Sequence, residues 1–400
     1  MNNSRTTPAS DQVLQLQPNS LLVYIMAIAC GLAVANLYYA QPLLDTLSQS
    51  FDIASSTAGL IVTMTQMGYV LGLAFIVPLG DLLERRRLIT IVTLGTVGAL
   101  VLAGLSPTIG LFLFASLMTG LTSVVAQILV PFAAHQAREG QRGTVVGRVM
   151  SGLLIGILVA RALSGIIADA LGWRALFWLA AGFMFVQALV LWYMLPDNQS
   201  ELNTSYGKLL HSVLHLFLEE PLLRRRIVYG TLGFAAFSVF WTAMSFLLAH
   251  PPYHYSDTII GLFGLLGAGG ALCAAFAGKI HDRGGTFVGT GIFLALIALS
   301  FVFMGIFKDQ LTAIIAGVIL LDVGQQGTQV LNQSVIYELR PDARSRITTA
   351  YMTCFFFGGV MGSAGSAYVN DLFGWTGVCI LGGALGGIAF LFWLTERLEL

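Results

Sequence analysis

Two ionisable residues stand where an apolar helix would give them no water. Arg161 lies within "GLLIGILVARALSGIIADALGW" (152–173), and Asp322 opens the polar run in "LDVGQQGTQVLNQS" (321–334). A guanidinium stays protonated in any protein setting. An ion at mid-bilayer costs at least about 2.5–3.5 kcal/mol on insertion scales, so each needs a partner or a wet cavity. The chemistry open to such a pair is exchange: a carboxylate that binds a proton releases the guanidinium to hold an anionic group. Along the same helix, Gln325, Gln329, Asn332 and Gln333 recur at steps of three or four from Asp322, which puts them on one face. A lipid-facing helix does not tolerate that stripe, so it is expected to line a cavity, with helix–helix hydrogen bonding as the plainer alternative. Further candidates are Asn36, Tyr38, Tyr39 and Gln41 in "ANLYYAQP", Gln66, Gln127 ahead of a kink expected at Pro131, and Trp241, Thr242 and Ser245 in "FWTAMS". Aromatic residues near span ends are as readily read as an interfacial belt.

The elements that must position these groups are membrane helices. The 400 residues are 56% hydrophobic and only 10% charged, against about 25% charged in soluble domains, and the mean hydropathy is +0.81. Apolar segments long enough to cross a bilayer fall at 20–43, 57–80, 88–106, 109–134, 143–169 and 173–195, and again at 225–249, 257–280, 286–307, 310–337, 345–371 and 375–394. The expected architecture is all-α and integral to the membrane, with twelve transmembrane helices. The polar residues 1–20 read as a cytoplasmic tail rather than a signal peptide. Zero formal net charge and the lack of a basic stripe argue against a nucleic-acid partner. Cys30, Cys273, Cys354 and Cys379 sit in apolar stretches without paired spacing, as small apolar filler.

Lysine and arginine set the orientation. With residue 1 in the cytoplasm, all but three of the 20 basic residues face inside; Arg174 and Lys308 fall outside and Arg161 within a span. Both termini, the latter at 395–400, are therefore expected to be cytoplasmic. The loop 196–224 ends in an amphipathic, basic stretch suited to the inner membrane surface. Its His211 and His215 have a spacing that could hold a metal, but the acidic third ligand of a zinc-protease pattern is missing, and no metal or cofactor is expected.

Cutting at that loop gives bundles of six spans, 21–195 and 225–394, that repeat one another. Gln127 matches Gln329, Arg138 matches Arg340, Arg142 matches Arg344, Asp81 matches Asp282, and "GW" at 172–173 matches "GW" at 374–375. Repeats of the same hand place a site near midplane, between the halves. Arg161 lies about nine residues, ~13 Å, from the outer edge of span five, and Asp322 about eleven residues, ~17 Å, from that edge of span ten. Their depths agree, and they belong to opposite halves. Gly152, Gly156, Ala160, Ser164 and Ala168 form a separate small-residue stripe, about 100° round from Arg161, suited to close helix packing.

Here the sequence resembles the major facilitator superfamily. The signature of that family follows span two: Gly, three residues, Asp, a basic residue, any residue, Gly, then basic residues. The second half carries "GKIHDRGG", with Gly278, Asp282, Arg283 and Gly285 in place. The first half carries "VPLGDLLERRR", which keeps Asp81 and Arg85, Arg86 and Arg87 but has Val77, Leu82 and Glu84 where the family has glycine, a base and glycine. The resemblance implies an alternating-access carrier with spans 1, 4, 7 and 10 lining the cavity and the motif acting as a cytoplasmic gate; a simple topology determinant is the plainer reading of the motif. It also points to the drug–proton antiporter branch, with two departures. That branch has an arginine where this chain has Ser116, four residues before Gly120, and a Gly-Pro pair in span five where this chain has Arg161.

The expected function is a secondary transporter of the inner membrane, monomeric and not an enzyme, moving a small organic solute by proton-coupled efflux. The alternative is uptake or facilitated diffusion of a polar or anionic metabolite. No Gly-x-Ser-x-Gly, His-Glu-x-x-His or phosphate-cradling loop with Lys supports an enzyme.

Overall fold

A computed structural model describes residues 20–137, 141–197, 205–339 and 344–397. The N-terminal tail to 19, Arg138, Arg340 and the last three residues lie outside them.

Among the described residues, nine helices are long and apolar enough to cross a membrane. One of them, Arg346–Glu396, is two spans meeting at Gly374, and the shorter helices Leu21–Ala35 and Asp257–Gly270 begin the remaining two spans. The chain thus makes the twelve crossings expected, arranged as two bundles, and the larger apolar core runs from the first bundle into the second through Phe234, Phe246, Tyr351 and Phe355. This core is built around Leu44, Ile61, Phe112, Phe132 and Trp173, the other around Phe240, Trp241, Ile297, Phe301 and Leu321. The loop between the bundles carries the helix Tyr206–Glu219, which leaves Leu214 and Leu218 exposed. On it, His215 pairs with Glu219 at 3.2 Å.

The repeat is visible in backbone geometry. Gly172 (φ 84, ψ 152) and Gly374 (φ 59, ψ −157) join spans five to six and eleven to twelve. That region of backbone space is accessible almost solely to glycine. Each is followed by a buried tryptophan tied into its own half: Trp173 Nε1 donates to Ser50 Oγ at 3.0 Å and Trp375 Nε1 to the Met304 carbonyl at 3.3 Å. A "GW" pair is therefore one structural device used twice.

Several spans are broken, and the breaks position the centre. Span one is helical over Ser20–Ala35, unwinds at 36–40 and resumes at Gln41–Leu43 and Leu44–Phe51. Span two passes from α-helix (Ser55–Leu71) through a π turn (Gly72–Ile76) to a 3₁₀ turn (Val77–Asp81). Span four breaks at Ser123 and Val124, between Ile109–Thr122 and Val125–Gln136, rather than at Pro131, which lies inside the second piece. The Thr122 and Ser123 hydroxyls donate back to the carbonyls of Met118 and Thr119, a pattern that bends helices. Span eight runs Asp257–Leu262, then as 3₁₀ helix Phe263–Gly267, then Ala268–Asp282.

Successive spans reverse direction, so one end of the molecule gathers Arg85, Arg86, Arg87, Arg142 and Arg148 while the other carries Asp45, Asp169, Asp257 and Asp371. The halves are pinned to each other at this second end. Thr46 donates to Asp257 Oδ2 at 2.6 Å, Ser56 to Asp371 at 2.9 Å, and the Thr258 amide to Asp169 at 2.8 Å. Asp45 and His250 face each other at 3.8 Å. Nearer the middle, Thr63 meets Ser363 at 3.0 Å and Gln66 donates to Ser238 at 3.2 Å.

Candidate functional site

Arg161 is 2% exposed, and aromatic rings take the place of water around it. Its guanidinium carbon lies 3.7 Å from the centroid of Trp241, 4.7 Å from Tyr38 and 5.9 Å from Phe237. The negative face of an aromatic ring attracts a cation, most strongly once water is gone. The unwound part of span one contributes twice, because it sets Tyr38 over the guanidinium and Gln41 at its edge. Nε donates to Gln41 Oε1 at 2.9 Å, while Nη2, also buried, has no acceptor.

Asp322, 3% exposed, approaches from span ten (Leu311–Leu339). It and Arg161 act on each other electrostatically, as the matched depths require, but no ion pair forms within 4.0 Å, and Asp322 Oδ2 has no partner. The Trp241 indole lies beside this carboxylate, outside good hydrogen-bond geometry.

Span eight packs against both charged residues. Glycines at 261, 264, 267 and 270 repeat every third residue, the period of the 3₁₀ turn they flank. A methyl group added at Gly264 would stand 2.6 Å from Arg161 Cβ; one at Gly267 would stand 3.1 Å from Asp322 Oδ2. Gly261 abuts the Arg161 carbonyl and Gly270 that of Asp322. The bare face of one short helix is what lets residues of opposite halves approach.

The other candidates divide. Gln325 is 3% exposed with both amide atoms unpartnered, and it packs on Gly233, one turn from Phe237 in span seven (Pro221–Ala249). Gln329 and Asn332 instead bond Tyr351 of span eleven: Tyr351 donates to Gln329 Oε1 at 2.7 Å, and Asn332 Nδ2 donates to the Tyr351 oxygen at 3.2 Å. Gln333 reaches Met352 of the same span. Gln66 bridges the halves through Ser238. Gln127 donates to the Tyr69 hydroxyl at 3.2 Å, and Tyr69 packs at a tilt against Phe356 of the other half, centroids 4.5 Å apart. Asn36 turns toward the Ala33 carbonyl and Met184 within its own bundle. Of the paired tyrosines, Tyr38 rather than Tyr39 reaches Arg161. Gln41, Phe237, Gly264 and Gly267 complete the centre. The glycine period of three in "GLFGLLGAGG" is the signal that could have found the last two.

At the basic end, Asp81 pairs with Arg85 at 3.5 Å, and Arg85 Nε donates to the Gly80 carbonyl at 3.0 Å. Arg86 pairs with Asp197 at 2.8 Å and lies over Trp192. In the second copy, Gly284 (φ 74) turns the chain after Asp282 and Arg283, both exposed, and the Gly285 amide donates to the Ile280 carbonyl at 2.9 Å. Gly278 has open space beside it. Among the described residues, no group of three His, Cys, Asp or Glu side chains could hold a metal ion.

Known proteins share this architecture. The family model described as Major Facilitator Superfamily matches residues 24–363. Transporter YgaY of Escherichia coli O157:H7 is 48% identical over 372 residues, covering 93% of this chain and 94% of that protein. The Streptomyces coelicolor protein named probable transporter SCO4007 is 31% identical, with 95% and 91% covered. The crystal structure of the nucleoside transporter NupG, at 12% identity, superposes with a TM-score of 0.76 over 93% of this chain and 99% of that one. A broken-helix, two-bundle fold with charges at its centre and a family match across most of its length make one conclusion: the chain belongs to the Major Facilitator Superfamily and is a membrane transporter of small-molecule solutes.

Proposed function

We propose that the chain is a proton-coupled secondary transporter that moves a small organic solute by alternating access. Asp322 takes the proton, and Arg161 holds Asp322 or the solute in turn. The observation that carries this reading is that the two charges come from opposite halves, are both buried, and act on each other without forming an ion pair. A buried charge without a partner is costly, and a carboxyl relieves that cost by binding a proton. The titratable or charged neighbour of Asp322 is Arg161, with Tyr38 across that guanidinium; span seven offers it an indole and span eight only glycine.

Efflux is the direction supported by the sequence's resemblance to drug–proton antiporters. Uptake or facilitated diffusion of a polar or anionic metabolite is the second reading, favoured by Ser116 in place of that branch's arginine and by the polar span ten. The basic end is read as cytoplasmic, in the inner membrane, with both termini on that side and the protein acting as a monomer. The Asp81–Arg85 pair serves as its gate, and the polar bonds at the opposite end close the outer side. The test is transport in proteoliposomes under an imposed pH gradient, with a solute found by thermal-shift screening. A gradient should drive the wild type and not Asp322→Asn; unchanged pH dependence in that variant would remove the proton from the account. The direction of driven flux separates efflux from uptake.

A further inference from the structure

The same site says what kind of solute it takes, granted the reading that Asp322 binds the coupling proton. Trp241 and Tyr38 both lie against the Arg161 guanidinium, their ring centroids 3.7 Å and 4.7 Å from its carbon. The rings crowd the guanidinium and its N–H donors lie in its own plane, so a ligand bonds it in the plane of the fork. One edge of that plane is filled by Gln41, bonded to Nε. Nη2 remains, buried and without an acceptor. Burying a donor of this strength without a partner is among the more costly arrangements in a protein. The rings and the Gln41 bond also restrain the guanidinium, which keeps Nη2 aimed at one place.

What fits an in-plane guanidinium edge is a planar oxyanion, and the match between carboxylate and guanidinium is the best of these. Charge argues the same way. With Asp322 ionised, the two buried charges sum to zero and offer an anion nothing. With Asp322 protonated, the site carries the single positive charge of Arg161, which balances a monoanion and not a phosphate dianion. Phe237, alongside the guanidinium at 5.9 Å, supplies an apolar wall for the rest of the molecule. The Gln325 amide, buried with both its atoms unpartnered, supplies polar atoms beyond it.

We infer that the solute is an organic monocarboxylate with an apolar body, bound through its carboxylate to the in-plane edge of Arg161 while Asp322 carries a proton. Proton and solute then occupy the protein together, so they cross in the same direction. That order is a symporter's, and it selects uptake over efflux.

The experiment is titration calorimetry on the purified full-length protein. The probes are benzoate, cinnamate and butyrate, each set against its own amide, in acidic and in alkaline buffer. The acids should bind in acidic buffer, about tenfold or more tighter than the amides, and should weaken as the pH rises. Asp322→Asn, which is neutral at every pH, should keep acid binding and lose its pH dependence. Arg161→Lys keeps the charge but not the fork and should bind the acids about tenfold more weakly; its elution as a folded monodisperse species checks that the loss is local. Equal affinity for acid and amide, or no acid bound at either pH, overturns the carboxylate assignment. Acid binding that strengthens with pH, or that keeps its pH dependence in Asp322→Asn, overturns the co-binding. The proton-coupled reading fails separately, when Asp322→Asn leaves the pH dependence of transport untouched.

Discussion

Gly264 of span eight lies directly against Arg161 of span five, so closely that a Cβ at 264 would stand 2.6 Å from Arg161 Cβ and 3.0 Å from its Cδ. The position of the central charge is thus set from the opposite half of the molecule. Gly264→Ala must push one helix away from the other, and overpacking of this kind costs about 1–3 kcal/mol. A clear fall in melting temperature and loss of transport are expected. Gly98→Ala, where nothing lies within 4 Å of the added methyl, should leave both unchanged.

The aromatic cover on Arg161 contributes stability as well as placement. Trp241→Leu removes the ring stacked at 3.7 Å, and a desolvated cation–π contact is worth about 2 kcal/mol. The variant should melt earlier than wild type, and in an Arg161→Leu background the same change should cost less. The coupling energy of that double-mutant cycle is the measurement; a coupling of zero would mean the stacking holds nothing.

The seam at the end opposite the arginines should respond to single hydrogen bonds. Thr46→Val deletes the 2.6 Å bond to Asp257, and such a bond contributes about 1 kcal/mol net. That is enough to raise the population open at this end about fivefold. Spin labels at Gln49 and His254, in a background without the four native cysteines, should report a larger share of long distances than the parent protein.

The two "GW" turns predict a paired effect. Gly172→Ala and Gly374→Ala each place a side chain in a backbone region that only glycine adopts freely, at a cost of about 1–3 kcal/mol. Thermal unfolding should show similar losses for both, since the device is the same in each half.

Much of this was legible in the residues. Hydrophobic length and the placement of lysine and arginine give the twelve spans, and "GW" marks the repeat before any coordinates. Depth puts Arg161 and Asp322 at one level, because helices rise by a fixed amount per residue, but it does not say whether they pair. Periodicity could not say which neighbour each polar face would meet. The span-ten stripe looks continuous, yet Asp322 lies against the glycines of span eight and Gln325 against Gly233 of span seven, while Gln329 and Asn332 bond Tyr351. Helix breaks were also hidden. Residues 36–40 read as helix but unwind, which is how Tyr38 and Gln41 both reach one guanidinium. Pro131 drew attention to the wrong turn of span four, because the break comes from hydroxyls at Thr122 and Ser123 that bond back along the helix.

The central claim is that Asp322 exchanges a proton while buried beside Arg161. Infrared difference spectroscopy of the purified protein across a pH titration observes that event without any solute. The account predicts a protonated-carboxyl band that grows as the pH falls, is absent from Asp322→Asn, and shifts its midpoint in Arg161→Lys. The same band persisting unchanged in Asp322→Asn would contradict it.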